Sequence, residues 1–110
     1  MSQSKAPEFE ATLQEVAKIA KVLAHPARLA ILQHLAKAKT CISGDIVNEL
    51  PLSRTTVSQH LKELRKLGLI KSKVEGVTVS YCIDNEKLDE ANQLLTSFLL
   101  NTRQEIFCDC

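Results

Sequence analysis

One apolar stripe in the middle of the chain constrains the fold most, because it repeats with the period of an α-helix. Val57, Leu61 and Leu64 are spaced at i, i+4 and i+7, which suits a helix of about 3.6 residues per turn. Ser53 has the side chain of a helix N-cap, and Gly68 stands where a left-handed residue ends a helix. The sequence therefore predicts a helix between these two residues, with one face in the core.

The face opposite this stripe is polar. It carries small hydroxyls, one amide and two ammonium groups: Thr55, Ser58, Gln59, Lys62 and Lys66. At about 100° per residue, these positions point away from the stripe. Such a surface is a poor partner for another helix, whereas it suits the phosphate backbone and the base edges of a nucleic-acid duplex.

Positive charge is concentrated around the same helix. Between Arg54 and Lys73 there are six basic residues and one acid, which give a net charge of +5. The whole chain carries only +1, so the remainder carries −4. This distribution predicts that one surface binds an anion. The alternative is an ordinary amphipathic helix whose lysines only face water.

Three further helices are predicted before this one, from apolar residues at helical spacing: Phe9–Ala24, Ala27–Ala38 and Gly44–Leu50. The first helix ends at His25-Pro26, because a residue before proline avoids helical dihedral angles. Pro26 then suits the first turn of the second helix. The inner face of the first helix is predicted to hold Leu13, Val16, Ala17, Ala20 and Leu23 or Ala24.

Beyond Gly68 the hydrophobic period changes to two, which predicts strands over 69–74 and 77–83 with a tight turn at Glu75-Gly76. From Asn85 the helical period returns and predicts a last helix to about Arg103. The predicted fold is mostly α with a small β-hairpin wing (α+β), a winged helix-turn-helix in the order ααααββα. It occupies residues 9–103, between a flexible N-terminal tail (1–8) and a cysteine-containing C-terminal tail (104–110).

Composition narrows the class of protein further. A chain of 110 residues is one domain, and no run approaches the length of about 20 apolar residues that crosses a membrane. The N-terminus lacks a secretion signal, so we expect a cytoplasmic protein whose four cysteines do not form a structural disulfide framework. No glycine-rich phosphate loop, carboxylate pair or nucleophile–base set is recognisable, so we do not expect an enzyme.

The sequence resembles the ArsR/SmtB family of small bacterial metal- and metalloid-responsive repressors over about residues 10–100. The motifs that carry the resemblance are residues 23–32 (LAHPARLAIL), residues 52–61 (LSRTTVSQHL) and Gly68-Leu-Ile running into a hairpin that closes on Tyr81. The resemblance implies a homodimer built on the first and last helices. It also implies a repressor that binds double-stranded DNA without a cofactor and leaves its operator when an effector binds.

On such a fold we assign contacts with base edges or phosphates to Thr55, Ser58 and Gln59, and contacts with phosphates to Ser53, Arg54 and Lys62. An amide such as that of Gln59 has the paired donor and acceptor that read an adenine edge. Lys71 and Lys73 are the basic residues of the wing. Family members usually carry arginine beside the wing-tip glycine. This chain has none there, so we predict a small contribution from the wing. His60 is predicted to be structural.

The family has two common metal sites, and this sequence departs from both. No histidine lies between residues 85 and 110, which argues against the zinc-type site on the last helix. In the Cys-x-Cys-Asp site the cysteine positions fall on Ile42 and Gly44, and Cys41 is offset by one. The tail offers Cys108 and Cys110 two residues apart. We therefore predict a site of three sulfurs, from Cys41, Cys108 and Cys110, for arsenite, antimonite or a soft divalent metal.

Other interpretations stay open. A link from Cys41 to Cys108 or Cys110 would instead make the repressor a sensor of thiol oxidation or persulfides. The effector could be of another kind or absent, with Cys82 structural or exposed and the tail thiols frayed. A winged helix can also serve as a protein-interaction module without DNA, and apolar residues on the outer face of the central helix would indicate that role.

Overall fold

The computed structural model describes residues 9–38, 40–43 and 50–104. Within these ranges the chain forms four helices and one hairpin: α1 Ala11–Leu23, α2 Pro26–Lys37, α3 Arg54–Leu67, β1 Ile70–Glu75, β2 Thr78–Ile83 and α4 Asn85–Asn101. The predicted fold class, mostly α with a β-hairpin wing, is thereby confirmed. The predicted helix Gly44–Leu50 and the predicted tails lie almost entirely outside the described residues. None of the helices in the described ranges has the length and apolar character to cross a membrane.

The first two helices meet at the predicted proline. His25 has extended dihedral angles (φ −130°, ψ 118°), and Pro26 is the first residue of α2. The backbone carbonyl of His25 accepts hydrogen bonds from the amides of Arg28 and Leu29, at 3.0 and 3.2 Å. The carbonyl of the N-cap residue of α2 is therefore paired at this junction.

Both predicted ends of α3 are confirmed. The side chain of Ser53 accepts a hydrogen bond from the amide of Thr56 at 3.2 Å, as an N-cap does. Gly68 adopts the left-handed conformation (φ 91°) and its amide bonds to the carbonyls of Leu64 and Arg65. The positive φ favours glycine at this position, since other residues are strained there.

The core is aliphatic and centres on α3. Its fully buried side chains come from α2, α3, β1 and the residue that links α3 to β1: Ile31, Val57, Leu64, Leu69 and Ile70. The predicted stripe of Val57, Leu61 and Leu64 therefore does face the interior.

The predicted inner face of α1 is wrong in part. Val16 and Ile19 are the buried residues of this helix, whereas Leu13, Ala17 and Ala20 are exposed. The helix packs against α2, α3 and α4. Part of the apolar face of α1 therefore packs into the core, and the rest of that face is exposed in the single chain.

The hairpin is antiparallel, with Ile70 opposite Ile83 and Glu75 opposite Thr78. Its turn is Gly76-Val77, one residue later than predicted, because Glu75 still belongs to the strand. Gly76 has a φ of 62°. A two-residue turn with glycine first and a left-handed φ there matches the twist of the strands.

A short extended segment continues the hairpin on its far side. Ile42 and Tyr81 exchange both backbone hydrogen bonds, each at 2.8 Å. Since side chains alternate along a strand, Ile42, Tyr81 and Ile70 lie on the face that packs against the core. The opposite, outer face of this sheet carries Cys41 and Cys82.

Candidate nucleic-acid interface

The outer face of α3 is polar and open to solvent. All six residues predicted to contact DNA from this region are exposed: Ser53, Arg54, Thr55, Ser58, Gln59 and Lys62. The apolar residues of the same helix are turned inward and buried. The helix therefore presents hydroxyl, amide and cationic groups together on one convex surface.

A groove with basic walls runs beside this surface, between α3 and β2. Its volume is about 350 Å³, and it is lined by Ser58, Leu61, Lys62, Arg65, Lys66 and Tyr81. Four of these residues were not among the predicted contact residues: Leu61, Arg65, Lys66 and Tyr81. Arg65 is one of the six basic residues that lie between Arg54 and Lys73 in the sequence. The position of Tyr81, in contrast, depends on how the hairpin folds against α3. The groove extends the positive surface from the helix toward the wing.

A buried histidine fixes α3 against the rest of the domain. His60 is only 7% exposed, and its Nδ1 accepts a hydrogen bond from Nε of Arg28 at 3.1 Å. Arg28 also donates from Nη1 to the carbonyl of Val22 at 3.3 Å, and the ring of His25 lies 4.3 Å from that of His60. The predicted structural role of His60 is therefore confirmed. This cluster ties α3 to the junction of α1 and α2.

Stability is expected to fall in mild acid because of this cluster. Burial, together with the neighbouring His25 and Arg28, lowers the pKa of His60 below its ordinary value of about 6.5. Below about pH 6.5 the unfolded chain then binds this proton more readily than the folded one. The free energy of unfolding therefore keeps its full value above about pH 6.5. It decreases as the pH falls toward the lower pKa that His60 has in the folded protein.

Urea unfolding at about pH 7.5 and about pH 5.5, at one protein concentration, measures the effect. We expect the free energy of unfolding of the wild type to fall further between these values than that of His60→Gln, whose amide cannot titrate. Equal falls in the two proteins would contradict this role of His60.

The wing lysines point away from the groove. Alternation along β1 and β2 places Lys71 and Lys73 on the outer face of the hairpin, opposite to Tyr81. Nζ of Lys73 lies 2.9 Å from Oε1 of Glu75. This hydrogen bond raises the pKa of Lys73 and lowers the pKa of Glu75. The small contribution predicted for the wing agrees with this arrangement and stays a prediction.

The cysteines are arranged differently from the expectation. Cys41 and Cys82 form a disulfide, with their Cα atoms 4.5 Å apart. The expectation of no structural disulfide is therefore wrong for this pair, because the bridge between Ile42 and Tyr81 places the two cysteines directly opposite each other.

The predicted metal site stays a prediction, since Cys108 and Cys110 lie outside the described residues. Among the residues that the structure does describe, no three His, Cys, Asp or Glu side chains are grouped to hold a metal ion. Ligation by Cys41 would first require reduction of its bond to Cys82, because the thiolate is the ligand form of cysteine.

A capped helix with an exposed polar and basic face, followed by a hairpin wing, defines a winged helix-turn-helix DNA-binding domain. Residues 25–72 match the model of a family described as bacterial regulatory protein, arsR family. The transcriptional repressor PagR of Bacillus anthracis is 36% identical over 76% of this chain and 84% of its own length. The chain therefore belongs to the arsR family of bacterial regulatory proteins.

Two further proteins of known name or structure are similar to this chain. The arsenical resistance operon repressor of Staphylococcus xylosus is 33% identical over 88% of this chain and 89% of its own length. The solution structure of a homodimeric winged helix-turn-helix DNA-binding domain from Mycobacterium bovis is 26% identical, with a TM-score of 0.63. That match covers 100% of this chain and 99% of the other.

Proposed function

We propose that the protein is a homodimeric transcriptional repressor that places α3, its recognition helix, in the major groove of a palindromic operator. The observation that carries the proposal is the outer face of α3, where Ser58, Gln59 and Lys62 are exposed beside a basic groove. Two such helices in a dimer would reach successive major grooves about 34–36 Å apart. A protein-interaction module would instead present apolar residues on this face.

An exposed apolar surface on the first and last helices supports the dimer. Phe9, next to α1, is 60% exposed, and Leu99 of α4 is 62% exposed. Leu13 of α1 and Leu100 of α4 are exposed as well, and the two helices pack against each other. Several large apolar side chains exposed on neighbouring helices are typical of a surface that a partner covers. In a dimer with a two-fold axis, a second copy of this chain covers this surface with the same surface of its own.

Within the interface each residue type has a separate task. The exposed amide of Gln59 is suited to donate to and accept from an adenine edge. The ammonium of Lys62 and the guanidinium of Arg54 are suited to phosphates, which set affinity and position but carry no sequence information. Ser58 and Thr55 are short enough to bond either to a base or to the backbone.

Two single substitutions separate these tasks on a duplex that the wild-type protein selects from random sequence. Gln59→Ala is expected to weaken binding by about 5- to 150-fold, since a bidentate base contact is worth about 1–3 kcal/mol. Lys62→Ala is expected to lower the slope of log affinity against log salt by about one. Fluorescence anisotropy between about 50 and 200 mM salt measures both effects.

The wing supplies the matched control. Lys71→Ala/Lys73→Ala removes two charges of the same kind from the outer face of the hairpin, and it should keep more than about a third of the wild-type affinity at about 150 mM salt. A salt dependence near zero for the wild type would mean that this surface does not meet a phosphate backbone. Equal losses from all three variants would contradict the assignment of the interface to α3.

For the effector, we propose a soft metal ion or a metalloid such as arsenite, bound by the thiolates of Cys41, Cys108 and Cys110. Three sulfurs suit thiophilic ions, and a similar protein is an arsenical resistance operon repressor. The reduced protein is the form that would respond, because ligation requires free thiolates.

Mass spectrometry and DNA binding of the reduced protein with arsenite test this effector. We expect an adduct of one arsenic per chain together with loss of operator affinity. Cys108→Ser/Cys110→Ser should remove both responses while the protein still binds the duplex. An unmodified mass and an unchanged affinity for the wild type would eliminate arsenite as the effector.

A further inference from the structure

Backbone pairing brings Cys41 and Cys82 together across 41 residues of sequence. Ile42 and Tyr81 exchange both backbone hydrogen bonds, at 2.8 Å each. In antiparallel strands the next residues out from such a pair face each other with Cα atoms about 4.5 Å apart. The Cα atoms of Cys41 and Cys82 are 4.5 Å apart. The hydrogen bonds of the neighbouring residues therefore bring the two cysteines within reach of each other before any bond forms between the sulfurs.

The pair is also within reach of reagents from solvent. Ile42 and Tyr81 pack toward the core, so the adjacent cysteines project from the outer face of the sheet. Both cysteines are half-buried. Lys71 stands directly opposite Cys82 on β1, and its side chain is exposed. Small peroxides in the solvent can therefore reach the sulfurs from this outer face of the sheet.

We propose that Cys41 and Cys82 form a reversible dithiol–disulfide site that reacts with small peroxides, and that its disulfide weakens operator binding. The effect on DNA rests on the proposed repressor function, whereas the chemistry of the pair does not. The site involves neither Cys108 nor Cys110, so it differs from the predicted metal site and from a link to the tail. The two sites share Cys41, and the oxidised protein is therefore unable to bind a metalloid there.

The reaction is a two-electron oxidation of the thiols. The thiolate of Cys82 attacks one peroxide oxygen, the O–O bond breaks, and the departing hydroxide takes up a proton as water. The thiolate of Cys41 then attacks the sulfenic sulfur, the S–O bond breaks and a second water leaves as the S–S bond forms. Two thiols and one hydrogen peroxide thus give one disulfide and two waters. A small dithiol reverses the reaction by thiol–disulfide exchange.

The bond joins residues 40–43 to β2, which contributes to the proposed DNA-binding surface. Cys41 precedes α3 in the sequence, while Tyr81 lines the groove together with Ser58 and Lys62. In the thiol form, the two backbone hydrogen bonds between Ile42 and Tyr81 can open, so residues 40–43 can adjust separately from the hairpin when a duplex binds. The disulfide fixes their spacing. The oxidised protein therefore favours one arrangement, which we infer to be the weaker binder.

A variant with Cys108→Ser/Cys110→Ser, which keeps Cys41 and Cys82 as its only cysteines, isolates the pair. The reduced variant is treated with hydrogen peroxide, and peptide mapping by mass spectrometry locates the link. We expect a Cys41–Cys82 disulfide in the native protein, with loss of two hydrogen atoms per chain. Operator affinity by anisotropy should fall about fivefold or more and recover with dithiothreitol.

Single substitutions in the same background are the matched controls. Cys41→Ser and Cys82→Ser each keep the size of the side chain and should bind the selected duplex like the reduced protein, before and after peroxide. Failure to form the link in the native protein, or resistance of the link to dithiothreitol, would overturn the site. A reversible link with unchanged affinity would overturn its role on DNA.

The same samples separate this proposal from the proposed function. If the reduced protein selects no duplex, both the repressor function and the effect of the disulfide on DNA fail. The link and its reversal are still read by mass spectrometry in that case, and they decide the redox site alone.

Discussion

The packing of α3 by its apolar stripe is the interaction on which the rest of the structure depends. Val57 and Leu64 are fully buried, and together with Leu61 they hold the helix against α2 and the start of the hairpin. His60 adds a directional tie, since it accepts a hydrogen bond from Arg28 near the junction of α1 and α2. The inner side of the helix thus carries its stability, and the outer side is free to carry polar and charged groups.

Electrostatics then distinguishes the two sides of the hairpin. The side that meets α3 contributes Tyr81 to a groove with Lys62, Arg65 and Lys66. On the other side, Lys73 is paired with Glu75. The positive surface is therefore continuous from α3 into the groove and weaker at the wing. A basic surface around α3 on a chain of net charge +1 favours binding at this place over general attraction to any polyanion.

Much of this fold could be predicted, because local chemistry specifies its elements. Ser53 and Gly68 define the ends of α3 through a cap and a left-handed φ, and Pro26 separates α1 from α2. The hairpin turn was misplaced by one residue. The pattern alone does not show whether glycine takes the first or the second central position, and only the register of Glu75 opposite Thr78 decides this.

The features that the sequence did not predict depend on contacts between residues that are distant in the sequence. The burial of Ile19, with Ala17 left exposed, depends on which neighbours α1 contacts. The Cys41–Cys82 pair depends on one bridge at Ile42, an isolated residue with no strand pattern around it. Spacing suggested a partner for Cys41 in the tail, whereas backbone pairing supplied one in β2.

The most direct test of the account is a structure of the dimer bound to a selected duplex. We predict α3 in the major groove, with the side chains of Ser58 and Gln59 within about 3.2 Å of base edges or phosphates. A complex in which these two side chains lie in the contact between subunits, or in which the duplex meets another surface while α3 faces solvent, would contradict the account.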